Sequence, residues 1–183
     1  MIEKMKKKTI SVFDQSTLFN KNFYTWDDAE YRDFMIGVLM NLEPIHYEKN
    51  RVLINELDEF SEITFINKGI VMIGYELNHE KRYCIQFNDR CVIGAYGITF
   101  NKRASFLYAC KTDVEGFFIR KDKWLEAVEQ APLIEKVFKK NVLIDYLLNI
   151  RGKATVYKNK AIKACLERQD MQQISTAAPK DQH

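Results

Sequence analysis

The residues of this chain that could do chemistry lie in one stretch, IGAYGITFNKRASFLYA, from position 93 to 109. Gly94 follows the apolar Ile93 where a strand would end, and Arg103 comes nine residues later. An arginine can make a forked, charge-assisted contact with a phosphate, and backbone N–H groups at the start of a short helix add donors. A glycine lets the chain approach such a ligand because it carries no Cβ. The spacing therefore predicts an anion-binding loop.

Composition limits the classes of protein to which the chain can belong. The 183 residues are 46% hydrophobic and 13% aromatic, which suffices for one core and favours β structure. The formal net charge of +3 is ordinary, and no basic stripe interleaved with aromatic residues favours nucleic acid as a partner. No stretch approaches the roughly 20 apolar residues of a membrane span, and the basic opening lacks the apolar part of a secretory signal. We expect a cytoplasmic chain without a membrane span.

The sequence lacks the patterns of common catalytic and metal sites. Its four cysteines are far apart, and its three histidines add no metal-ligand spacing. Cys84, Cys91 and Cys110 lie in apolar runs, which indicates small core residues in a reducing compartment. No Ser/His/Asp order, HExxH, P-loop or dinucleotide motif occurs. We therefore expect no enzyme activity, no metal and no other cofactor.

The elements that must position the loop begin with a helix and continue as short strands. Segment 27–42 has apolar residues at helical spacing and is followed by Pro44, which predicts a helix. From Tyr47 onward, β-like runs follow one another at intervals of about 8 to 12 residues, which is typical of a sandwich or barrel. One of these runs, EITFINKGIVMIGYEL, predicts two strands about a turn at Gly69.

Helices are expected again from position 123 onward. Pro132 divides a short helix from a longer one, and Gly152 interrupts the apolar pattern of the longer helix. We expect Trp124 and the apolar stripe of the longer helix to belong to the core rather than to a lid. That stripe consists of Leu133, Val137, Ile144, Leu147 and Leu148.

This order of elements, together with the loop, resembles the cyclic-nucleotide-binding domain family. The domains that follow the pore in eukaryotic cyclic-nucleotide-regulated and related voltage-gated potassium channels are the most similar members. EITFINKGIVMIGYEL looks like the early hairpin of the family, and VIGAYGITFNKRASFLYA looks like its phosphate-binding cassette. VEGFFIRKDKWLEAV looks like the last strand entering the hinge helix, and the stripe from Leu133 lies where the lid helix closes over the base.

The resemblance implies a mainly β fold with flanking helices. The expected architecture is an antiparallel β-roll, similar to a jelly-roll barrel, with an N-terminal helix and C-terminal hinge and lid helices. We divide the chain into an N-terminal arm (1–26), the β-roll with its flanking helices (27–150), a helical extension (151–174) and a disordered tail (175–183).

The resemblance also implies which residues would form a nucleotide pocket. Ile93 and Gly94 match the apolar-glycine pair of the family, and Arg103 matches its phosphate arginine. Lys102 is an alternative to Arg103, because the spacing from the glycine differs by about a residue from that in ligand-binding members. The candidate ligand-binding residues are Ile93, Gly94, Ala95, Tyr96, Lys102, Arg103, Ala104 and Ser105.

One candidate departs from the pattern of the family. Ala95 stands where the family has a glutamate that accepts a hydrogen bond from the ribose 2′-hydroxyl. A hydrogen bond to a charged group is worth about 1.5–3 kcal/mol, which is roughly a factor of ten to over a hundred in affinity. The cAMP or cGMP ligand that the family binds would therefore be held weakly here.

The expected function is a non-catalytic regulatory or interaction module whose pocket is eroded. Its partners would be proteins of a larger assembly or further copies of the chain. Two alternatives stay open. The first is a competent cAMP or cGMP sensor that regulates a channel, and the second is a structural scaffold subunit of a ciliary or membrane assembly.

Overall fold

The computed structural model describes residues 27–88 and 90–177, with side chains up to position 168. Helix α1 (Ala29–Met40) precedes the strands, and a short helix, α2 (Ala95–Thr99), follows the sixth strand. The strands of the described part are β1 (Glu43–Tyr47), β2 (Val52–Ile54), β3 (Glu62–Lys68), β4 (Ile70–Leu77), β5 (Glu80–Asn88), β6 (Val92–Ile93), β7 (Leu107–Cys110) and β8 (Val114–Arg120). The chain ends in α3 (Lys121–Glu129), α4 (Pro132–Asp145), a π-helical turn (Tyr146–Arg151) and α5 (Gly152–Ala177).

The strands form two four-stranded antiparallel sheets. One has the order β1-β8-β3-β6, and the other has the order β2-β7-β4-β5. Within the described residues the sheets make an open roll rather than a closed barrel, with helices before and after them. The predicted fold class, an antiparallel β-roll with flanking helices, is confirmed.

The turn at Gly69 does not form a hairpin. The two strands that flank it exist, but β3 pairs with β6 and β8, whereas β4 pairs with β5 and β7. Gly69 has φ of 107°, and a Cβ there would lie 2.4 Å from the carbonyl oxygen of Asp113. Only glycine fits such a corner, at which the chain crosses from one sheet to the other. The prediction of strand pairing about this turn was wrong, because a strand–turn–strand pattern is the same for a hairpin and for a corner between sheets.

Helix α1 packs into the core at one end of the roll. Its buried residues include Tyr31, Phe34, Met35 and Val38, which recur at the predicted helical spacing. Trp124 on α3 is fully buried, and its ring lies 5.7 Å from that of Phe34 and 4.8 Å from that of Phe138 on α4, measured between centroids. Its assignment to the core is confirmed, and it joins the three helices.

Helix α4 buries a different face from the predicted one. Its buried residues recur every four positions and continue into the π-helical turn. They are Ile134, Phe138, Val142, Tyr146 and Ile150. The residues of the predicted stripe point outward, since Val137 is half-buried and Leu133, Ile144, Leu147 and Leu148 are exposed. The prediction was wrong because the helix is apolar on two faces, and the sequence does not tell which face meets the roll.

The C-terminal helix is longer and more continuous than predicted. Gly152 has helical dihedral angles, and the irregularity is the π-helical turn just before it. Helix α5 ends at Ala177, so it includes positions 175–177 of the segment expected to be disordered. The arm, 1–26, and positions 178–183 lie outside the described residues.

The expectations about the cysteines, metal sites and membrane spans can be compared with the described part of the chain. Cys110 is buried, while Cys84 and Cys91 are only half-buried, so the core assignment fits the first cysteine best. Among the described residues no cluster of histidine, cysteine and carboxylate side chains is arranged to hold a metal ion. None of the helices in the described ranges combines the length and apolar character needed to cross a bilayer.

Candidate functional site

The loop from β6 into α2 lies against Phe60, and two glycines make this possible. Gly94 has φ of 87°, and a Cβ there would lie 2.5 Å from the carbonyl oxygen of Glu62. At Gly97, a Cβ would lie 2.1 Å from Cδ2 of Phe60. A side chain at either position would force the loop or the residues that it contacts to shift. Gly94 is therefore needed for the close approach of this loop to the roll.

Replacing this glycine should cost stability. We expect Gly94→Ala to lower the free energy of unfolding by about 2 kcal/mol or more, because it adds left-handed strain to a backbone clash. Gly37→Ala is the matched control, since Gly37 lies inside α1 and its added Cβ would meet Ala127 at an ordinary 3.8 Å. That change should leave stability equal or raise it by up to about 1 kcal/mol. Urea denaturation measures both, and equal stability of the two variants would contradict the close approach at Gly94.

Arg103 lies at the edge of the site, and its hydrogen-bond partners lie outside the cavity. Its Nη2 donates to Oε1 of Glu59 at 2.9 Å, and its Nη1 donates to the carbonyl oxygen of Leu57 at 3.4 Å. Arg103 and Glu59 are both well exposed, so the pair contributes little to stability. Of the two candidate phosphate residues, Arg103 lines the cavity, whereas Lys102 is not among its lining residues.

The cavity behind the loop is nearly filled by the protein itself. Its volume is about 30 Å³, which is room for about two water molecules at roughly 10–15 Å³ each. Five of the eight predicted residues line it, namely Gly94, Ala95, Tyr96, Arg103 and Ser105. Ile93, Lys102 and Ala104 do not, and the other lining residues are Phe60, Val92, Gly97, Tyr108, Val142, Asp145, Tyr146 and Ile150.

Two stacked tyrosines occupy the space inside the loop. The ring of Tyr146, from the π-helical turn, lies parallel to that of Tyr96 on α2, with 3.7 Å between centroids and 6° between planes. Tyr146 is only 6% exposed, and its hydroxyl lies near the side chain of Ser105. Burial raises the pKa of Tyr146, and the nearby Ser105 side chain acts in the opposite direction. The π-helical turn after α4 thus contacts the loop from inside the cavity.

The charges around the cavity do not favour an anion. Asp145 lines it beside Tyr146, and its carboxylate accepts a hydrogen bond from Nδ2 of Asn149 at 2.8 Å. Burial holds the pKa of Tyr108 well above its ordinary value, so that this wall of the cavity stays neutral. Arg103 is the cation in the lining and Asp145 is the anion, so a phosphate here would meet both.

Several lining residues were missed in the sequence, for different reasons. Tyr146 had a signal, since it continues the four-residue repeat of Ile134, Phe138 and Val142. Phe60 lies in a loop, and Tyr108 lies on a strand that is buried at all four positions. Neither has a pattern that indicates which way its ring faces.

No model of a protein family matches the chain, and no curated protein matches it. Solved structures do. The regulatory domain of Toxoplasma gondii PKA with cAMP superimposes with a TM-score of 0.58 at 16% identity, over 72% of this chain and 48% of that one. The cAMP-bound PfPKA-R (141–441) gives 0.53 at 20% identity, over 68% and 42%. The sensor domain of the transcriptional regulator DNR from Pseudomonas aeruginosa gives 0.53 at 8% identity, over 68% and 87%.

The chain has the cyclic-nucleotide-binding fold. At these identities the likeness establishes the fold alone, and the chain spans less than half of the length of the two PKA structures. Within this cyclic-nucleotide-binding fold, the filled cavity lies between α2, β7 and the end of α4.

Proposed function

We propose that this chain is a non-catalytic regulatory or interaction module whose nucleotide pocket is eroded and closed by its own tyrosine. The observation that carries the proposal is the stacking of the Tyr146 ring on Tyr96, beside which a cavity of only about 30 Å³ is left. A cyclic nucleotide is many times larger than the water molecules for which this cavity has room. Tyr146 would have to leave before such a ligand could enter.

The expected loss of affinity follows from two contributions. Exposing one large buried side chain costs about 1.5–3 kcal/mol. The hydrogen bond to ribose that is absent at Ala95 removes about another 1.5–3 kcal/mol. Together they weaken binding by roughly two to four powers of ten. A site that would otherwise be micromolar becomes submillimolar or weaker, before the opposing charge of Asp145 is counted.

A thermal shift measurement tests the proposal. With about 10 μM cAMP or cGMP, we expect the melting temperature to change by less than about 1 °C, because this ligand concentration is at least roughly tenfold below the expected Kd and adds almost no stability. A micromolar site would instead add about 1.4 kcal/mol, which is roughly 3–6 °C for a chain of this size.

A shift of several degrees would contradict the proposal if Arg103→Ala abolished it and Lys102→Ala did not. The second variant is the matched control, since Lys102 is the exposed neighbour of Arg103 and does not line the cavity. That result would favour the competing function, a competent cAMP or cGMP sensor. The feature that favours a sensor is the close approach of the loop at Gly94, with Arg103 in the lining of the cavity.

We place this module within a larger cytoplasmic assembly or homo-oligomer, as its resemblance to the domains of channels implies. In that setting the roll would transmit a conformational change or anchor a partner protein. A scaffold of this kind would act in a membrane-bound or ciliary complex.

A further inference from the structure

A second cavity in the roll shares one described lining residue, Phe60, with the cavity behind the loop. Its volume is about 360 Å³, which falls within the range of roughly 300–1,000 Å³ that small-molecule sites occupy. Its walls come from both sheets, since β1, β3 and β6 belong to one sheet and β2 belongs to the other. The roll thus holds a space of ligand size apart from the candidate nucleotide site.

Part of the lining of the second cavity is apolar. It consists of Leu53 and Ile54 on β2, Ile93 on β6 and the ring of Phe60. Ile93 is buried, and the other three are half-buried. An apolar group placed against this part of the lining would be removed from water, which favours binding.

The carboxylate of Glu62 lies in the polar part of the lining, beside two hydroxyl groups. Its Oε1 accepts hydrogen bonds from the hydroxyl of Tyr47 at 3.3 Å and from Oγ1 of Thr64 at 3.4 Å. Burial and the neighbouring Glu62 carboxylate raise the pKa of Tyr47, so its hydroxyl stays protonated and donates. Among the described residues no lysine or arginine is paired with Glu62. The carboxylate is therefore held in place with its charge left for a cation of a ligand.

Arg51 supplies a positive charge to the same cavity. Its Cζ lies 4.1 Å from the centroid of the Tyr47 ring, in a cation–π contact. No carboxylate in the described part of the chain forms an ion pair with it. Glu62 lies at the hydroxyl of this ring and Arg51 lies over its face, so one small ligand can reach both charges.

The other two carboxylates of the lining already have partners. Oδ2 of Asp58 accepts hydrogen bonds from the backbone N–H and from Nδ2 of Asn55, both at 3.1 Å. Oε1 of Glu59 is paired with Nη2 of Arg103 at 2.9 Å. The charges left for a ligand are thus one anion and one cation. A ligand with a single charge would be attracted by one of them and repelled by the other.

We propose that the second cavity binds a free α-amino acid with an apolar side chain. The ammonium group of the ligand donates to the Glu62 carboxylate, and its carboxylate accepts a forked pair of hydrogen bonds from the Arg51 guanidinium. Its side chain lies against the apolar part of the lining. This binding is separate from the proposed loss of nucleotide binding, because different charged residues line the two cavities.

Three ligands with the same phenyl group test the assignment on the unchanged chain. L-Phenylalanine carries both charges, phenethylamine lacks the carboxylate, and hydrocinnamate lacks the ammonium group. A nuclear magnetic resonance titration that follows the backbone amides of Glu62 and Thr64 measures the three affinities. We expect a Kd of about 1 mM or below for L-phenylalanine, as is usual for a ligand of this size. Each analogue should bind at least about tenfold more weakly, because it loses a charge-assisted hydrogen bond.

Two variants test the residues themselves. Arg51→Gln should weaken the binding of L-phenylalanine about tenfold, while phenethylamine should bind as before or more tightly. Glu62→Gln should also weaken the binding of L-phenylalanine about tenfold, while hydrocinnamate should bind as before or more tightly. Arg82→Gln is the matched control, since Arg82 is a partly exposed arginine on β5 that is paired with Glu80 and does not line the cavity. It should leave all three affinities unchanged.

Two results would overturn the proposal. One is equal affinity for the three ligands, or no binding of L-phenylalanine, in the unchanged chain, and this result does not depend on the folding of any variant. The other is an affinity for L-phenylalanine that either Arg51→Gln or Glu62→Gln leaves as it was. No cyclic nucleotide enters these titrations, so their failure would leave the proposed function as it stands.

Discussion

Tyr146→Ala should lower the free energy of unfolding by about 3–5 kcal/mol, the cost of truncating a large buried aromatic residue. Two contributions are lost together: the stack on Tyr96 and the burial against the roll. At about 2–4 °C per kcal/mol, the melting temperature should fall by roughly 6–20 °C. Urea denaturation followed by circular dichroism measures the change directly.

Two further variants separate these contributions. Tyr146→Phe keeps the ring and removes the hydroxyl, so it should cost only about 1 kcal/mol. Leu148→Ala is the matched control two residues along the same turn, and because Leu148 is exposed it should stay within about 0.5 kcal/mol of the unchanged chain. If Tyr146→Ala were no more damaging than Leu148→Ala, Tyr146 would not fill the cavity.

Trp124→Ala should be equally destabilising, by about 3–5 kcal/mol. The indole is fully buried and contacts the rings of Phe34, Phe65 and Phe138, which belong to α1, β3 and α4. Phe138 lies two turns before Tyr146 on the same buried face, so the loss of Trp124 should also loosen the end of α4 at the cavity. Denaturation measures the first effect, and faster amide exchange around Tyr146 would report the second.

Leu125→Ala is the matched control for this prediction. Leu125 follows Trp124 on α3 but is partly exposed, so its truncation should cost well under half as much. Comparable losses in the two variants would mean that α3 is held by its whole surface rather than by the indole.

Much of the fold could be predicted because its signals are local. The spacing of Tyr31, Phe34, Met35 and Val38 predicted α1, and the short β-like runs predicted an antiparallel roll. Strand pairing could not be predicted at Gly69, since a corner and a hairpin need the same residue there. The buried face of α4 could not be chosen either, because both faces of that helix are apolar.

Only part of the lining of the cavity could be predicted from the sequence. Gly94, Ala95 and Arg103 stand out in the sequence because glycine, a missing carboxylate and a cation each have a local meaning, and all three line the cavity. What fills the cavity comes from a residue more than 40 positions further along the chain, Tyr146. Its position depends on which face of α4 meets the roll, and this is decided by the packing of the whole domain.

The contact between the rings of Tyr96 and Tyr146 is the central claim, and one measurement tests it directly. Nuclear Overhauser effects between the two rings can be recorded with and without an equal amount of cAMP at about 30 μM, at which a micromolar site would be mostly filled and a site of about 0.1 mM or weaker mostly empty. We predict strong effects in both samples, since the ring centroids are 3.7 Å apart and the nucleotide does not displace Tyr146. Loss of these effects on adding cAMP, with new contacts from the nucleotide to Gly94 and Arg103, would contradict the account.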